Sequence, residues 1–122
     1  MIADPHRPLP DDAYASAPTI CQELCLIAEA TDSRPSDVSK DREFRLRKAA
    51  LLDRVALREL AHGDARAAAD ADEAATVAAE WLIEYDIRHR GLSRKGQDLV
   101  LSEDYRNYVR TEYLAWIRSQ AA

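Results

Sequence analysis

The sequence predicts an all-α fold: a single-domain bundle of about four main helices behind an extended, proline-rich N-terminal arm. Three observations predict it. The 122 residues are 47% hydrophobic and 32% charged, a globular rather than a disordered composition. Alanine is abundant and leucine, glutamate and arginine accompany it, with only three glycines and one phenylalanine, so a sheet has little to be built from. Four stretches carry apolar residues at helical spacing between recognisable start and stop signals.

Residues 1–18 hold four of the five prolines (Pro5, Pro8, Pro10 and Pro18) and are read as the arm. Residues 19–122 form the helical domain. The first predicted helix runs from Thr19 to Ala30. Thr19 caps it, and Gln22 three residues on completes a capping box. Ile20, Leu24, Ile27 and Ala28 form its apolar stripe, with Cys21 and Cys25 on the edge. Ser33, Pro35 and Ser36 mark the following loop.

The second helix spans Lys40 to His62 and stops at Gly63. It is apolar on two sides, which predicts a central position in the bundle. One side carries Leu46, Ala49, Ala50, Ala56, Leu57 and Leu60. The other carries Phe44, Leu51 and Val55. The third helix starts at Ala65 or Asp70 and ends at Arg90, before Gly91. Acidic residues open it and Arg88, His89 and Arg90 close it, as the helix dipole favours. Its main stripe is Val77, Ala78, Trp81, Leu82 and Tyr85, while Ile83 and Ile87 face elsewhere. The fourth helix spans Ser102 to Ser119, with Tyr105, Tyr108, Val109, Tyr113 and Trp116 on one face.

Charge alternates along the chain. Residues 1–37 carry net −5, residues 38–63 net +3, residues 64–86 net −6 and residues 87–122 net +3. This pattern predicts helices packed against oppositely charged neighbours. The overall charge of −5 argues against a general nucleic-acid coat. Residues 1–10 contain Asp4 and three prolines rather than an apolar run, so no signal peptide is expected. No stretch has the ~20 apolar residues of a membrane span. A cytoplasmic protein with reduced thiols is the expectation. The alanine, arginine and aspartate bias points to a GC-rich bacterial genome.

Few residues suggest chemistry. Glu59-x-x-His62 and Asp86-x-x-His89 each place a carboxylate and an imidazole on one helix face, as di-iron bundles do. Both pairs end helices that an antiparallel hairpin would hold ~30–38 Å apart. A histidine near a helix C-terminus is the simpler reading. Cys21 and Cys25 lack the second ligand pair of structural zinc, and a small buried hydrophobe is the simpler reading for each. No nucleophile elbow or phosphate loop exists. No catalytic residue, metal or cofactor is therefore expected.

Two carboxylates stand out by position. Asp53 lies within the main apolar face of the second helix, and Glu112 lies between Tyr108, Val109 and Trp116. Burial there requires a partner, drawn from Arg42, Arg66, Arg106, Arg110 or a tyrosine. The alternative is a polar site between helices. The basic stretch 88–96, with Arg88, Arg90, Arg94 and Lys95, is a candidate anion or nucleic-acid contact. Phe44, Leu51, Val55, Ile83 and Ile87 are surplus apolar surface and mark a candidate interface. These features favour a non-enzymatic interaction or regulatory module that self-associates as a homodimer or binds a protein partner. A nucleic-acid-associated regulator using residues 88–96 and a small helical enzyme with an inter-helix polar site are the alternatives.

Overall fold

The computed structural model describes residues 9–32, 38–91 and 102–121. Five helices follow in order: α1 (Pro10–Ala13), α2 (Ile20–Asp32), α3 (Val38–His62), α4 (Ala65–Arg90) and α5 (Ser102–Ala121). Four of them are longer than a turn, and the described residues include no strand, so the chain is a small all-α bundle.

Local chemistry accounts for the helix ends. Thr19 and Gln22 form the reciprocal box at the start of α2. The Gln22 N–H donates to Thr19 Oγ1 at 3.1 Å, and the Thr19 N–H donates to Gln22 Oε1 at 2.9 Å. Asp64 caps α4 by accepting the Ala67 N–H at 2.7 Å. Gly91 ends α4 in the left-handed region at φ 68°, which a residue with a Cβ resists. Gly63 ends α3 by donating its N–H to the Glu59 carbonyl at 2.7 Å. A Cβ there would sit 2.9 Å from that same carbonyl oxygen.

Helices α3 and α4 form a long antiparallel hairpin about the turn at Gly63–Asp64. Helix α5 lies across one face of the hairpin, α2 packs on α3, and α1 packs on α5. The core lies between α3, α4 and α5. Leu46, Ala49 and Ala50 of α3, Ala79 and Leu82 of α4, and Val109 and Tyr113 of α5 fill it. Alanines on α3 and α4 let the axes approach closely, and the larger α5 side chains fill the space between them. None of the described helices is long and apolar enough to cross a membrane.

The structure departs from the sequence expectation in the arm, on α2 and on α4. Part of the expected extended arm is folded: Pro10–Ala13 is a helical turn, and Ala13 is fully buried. Residues 1–8 lie outside the described residues. On α2 the inward face carries Glu23, buried, with Ile20 and Ile27 half-buried, while Leu24 is 51% exposed. On α4 the inward residues are Ala75, Ala79, Leu82, Ile83, Tyr85 and Asp86, which leaves Trp81 on the outside.

Candidate interaction groove

Among the described residues three carboxylates are buried, and each is held by arginine from another helix. Asp53 on α3 is 1% exposed. Its Oδ1 accepts from Arg106 Nε at 2.6 Å and Arg110 Nη2 at 3.0 Å, and its Oδ2 accepts from Arg110 Nε at 2.8 Å. The Tyr14 hydroxyl donates to Oδ2 at 2.6 Å, so the segment after α1 is tied to the same carboxylate. Arg106 continues to Asp72 on α4 at 2.6 Å, and Arg110 to Glu103 at 3.0 Å. The cluster thus joins α3, α4, α5 and the N-terminal segment.

Asp86 on α4 is the centre of a second cluster. Arg42 on α3 grips it with both forks, Nε to Oδ1 at 2.9 Å and Nη2 to Oδ2 at 3.0 Å. The Tyr108 hydroxyl of α5 also donates to Oδ2. Glu112 of α5, half-buried, accepts from Arg42 at 2.8 Å and Arg90 at 3.1 Å. Burial alone would raise the Asp86 carboxyl, but the Arg42 and Tyr108 hydrogen bonds hold it below its ordinary range. Burial and the hydrogen bond to Asp86 both push the Tyr108 phenol up. The third cluster pairs Glu23 of α2 with Arg47 of α3 at 2.8 and 3.1 Å, beneath the Trp116 ring. Every hydrogen-bonding position at Asp53 faces a guanidinium or phenol, an arrangement suited to holding helices together rather than to binding a substrate.

The metal patterns do not converge. Glu59 and His62 lie beside the hairpin turn, whereas Asp86 and His89 lie at the opposite end of α4, and Asp86 is occupied by Arg42 and Tyr108. No group of three potential metal-ligating side chains exists among the described residues. Cys21 and Cys25 are free and exposed, not buried.

The expected apolar interface divides. Leu51 and Ile83 are buried within the chain. Phe44, Val55 and Ile87 are half-buried. Open apolar surface among the described residues includes a groove between α3 and α4 whose lining comes from those two helices alone. Its volume is about 510 Å³, and its walls are Phe44, Lys48 and Leu52 of α3 facing Ala74, Val77 and Trp81 of α4. Trp81 is 61% exposed and Val77 37%. Sequence reasoning placed Trp81 and Val77 in the core stripe; their spacing with Ala74 and Ala78 marks a face, but not which neighbour covers it. Leu60, placed in the main face of α3, is also exposed.

The groove continues past Trp81 into a polar cleft of about 450 Å³, lined by Asp41, Arg45, Tyr85, Glu84, Arg88 and His89. Arg45 pairs with Asp41 at 3.4 Å and lies over the Tyr85 ring, 4.9 Å from its centroid. Of the basic stretch, Arg88 is exposed in this cleft and Arg90 turns to Glu112, while Arg94 and Lys95 lie outside the described residues.

The fold defines a small all-α bundle. Comparison with known proteins adds no relationship: no family model, no curated protein and no solved structure matches the chain.

Proposed function

We propose that this chain is a non-enzymatic interaction module whose α3–α4 groove takes an amphipathic helix from a protein partner. The observation that carries the reading is Trp81, a large aromatic left 61% exposed beside an apolar groove. A core residue would be covered, and a large exposed aromatic on a concave apolar wall is the usual anchor of a protein contact. Alanines at 74 and 78 keep the groove wall low enough for a helix to approach. The basic side chains on the lining, Arg45 and Lys48, favour a helix with carboxylates beside its apolar stripe.

The test is a dye-labelled synthetic helix with leucines at i, i+3, i+4 and i+7 and glutamates between them. Titrated with the protein, its fluorescence anisotropy should rise, and Trp81→Ser should weaken binding at least tenfold with helix content and melting temperature unchanged. Equal binding by Trp81→Ser, or no binding by the wild type up to its solubility limit, overturns the reading.

A further inference from the structure

The groove and the helix it calls for are both present in this chain. Helix α4 carries an apolar outer ridge, Ala74, Val77 and Trp81, which is itself one wall of the groove. Glu73 and Glu80 lie on the edge of α4 turned away from α3, as the 100° step per residue requires. Arg45 and Lys48 line the opposite, α3 wall, and Lys48 is exposed. The segments behind these walls differ in the same sense, net −6 for residues 64–86 and net +3 for residues 38–63. A ridge with an acidic edge and a groove with a basic wall, on one surface, is a self-complementary patch.

Resting on the groove reading above, we propose that the occupant is α4 of a second copy of this chain. The two α4 helices cross near Val77 and Trp81 about a two-fold axis. Each Trp81 enters the other copy's groove between Phe44 and Leu52. Each acidic edge then lies along the other copy's Lys48 and Arg45, so every contact is made twice, as an isologous interface demands. A parallel or head-to-tail arrangement would satisfy one groove and leave the other Trp81 exposed. A fully acidic or fully basic partner would match only one wall.

Sedimentation velocity over a concentration series tests this with four proteins: wild type, Trp81→Ser, Lys48→Glu, and Glu73→Lys combined with Glu80→Lys. The wild type should sediment as a dimer and Trp81→Ser as a monomer. Each charge variant should self-associate about tenfold more weakly, because each reversal acts twice across the axis. Mixing the two charge variants in equal amounts should restore dimer, since every reversed charge then meets a reversed partner. Circular dichroism melts check folding, and Lys48→Glu changes only an exposed side chain. A wild type that stays monomeric at all concentrations overturns the second-copy proposal. So does a dimer indifferent to Trp81 and to the charge exchange. In either case the labelled leucine–glutamate helix separates the two claims: if it still binds, the groove reading stands alone, and if it does not, both fall.

Discussion

At Asp53 a carboxylate 1% exposed meets two guanidiniums and a phenol, and the energetics of that meeting are asymmetric. Forming the cluster takes three charges out of water, and their attraction does little more than offset that cost. Removing the carboxylate alone leaves Arg106 and Arg110 largely buried with their principal partner gone. Asp53→Ala should therefore lose about 3–5 kcal/mol of unfolding free energy, read from urea melts. The triple replacement Asp53→Leu, Arg106→Met and Arg110→Leu should recover most of that loss, because no charge is then stranded. A single variant as stable as wild type, or a triple variant no better than the single, would show that the cluster does not work this way. Asp53 was visible in the sequence because a carboxylate interrupts an otherwise apolar helix face. Its partners at positions 106 and 110 lie more than fifty residues away, and only the packing of α5 brings them there. Glu23 and Asp86 were not visible as buried groups. Glu23 adjoins Leu24, which looked like the inward residue, and Asp86 looked like half of an Asp-x-x-His pair.

The ends of the four long helices were legible to within about two residues, except the start of α4, left open between Ala65 and Asp70, because capping is local. Thr19, Gln22, Asp64, Gly63 and Gly91 act through atoms three to five residues away. The faces were less legible, because an apolar stripe states what a helix can bury and not what lies against it. On α4 the inward face is the one that lets Ala75, Ala79 and Leu82 nest under α5 while presenting Asp86 to Arg42 and Tyr108. Rotating Trp81 inward would bury more apolar area but would turn Asp86 out of its bidentate pair. The same competition turns Leu24 out and Glu23 in on α2. The caps are separable from this choice. Gly91→Ala forces a Cβ into the left-handed region, and nothing lies within 4 Å of the added atom. Its cost should be backbone strain alone, about 1–2 kcal/mol in a urea melt, with the surface of the hairpin unchanged. A neutral result would mean that the end of α4 relaxes to another turn.

Across the whole molecule, the carboxylate clusters sit where helices meet. Asp53 joins α3, α4 and α5 toward the hairpin turn, and Asp86 joins the same three helices toward its open end. Arg42 and Asp53 stand eleven positions apart on α3, about 16 Å of helix. An alanine-rich core supplies limited apolar area per helix pair, and the clusters add a register that sliding would break. This dependence on ionised carboxylates makes stability a function of pH, and Asp86 fixes its sign. Its folded carboxyl is held below the ordinary value of 3.8, because Arg42 and Tyr108 outweigh burial. Above pH 3.8 the unfolded chain is also ionised, so the full stabilisation is present there. Below it the unfolded chain binds the proton first, and the stabilisation falls until the folded carboxyl is protonated as well. Asp86→Asn keeps the shape and removes the titration. At neutral pH it should be less stable than wild type by about 2–3 kcal/mol, the worth of hydrogen bonds to a charged group. That gap should hold from neutral pH to about 4 and then narrow as acid is added, in urea midpoints taken at fixed ionic strength. A gap that stays constant through the acid limb would assign the acid sensitivity to other carboxylates and leave Asp86 as a packing group only.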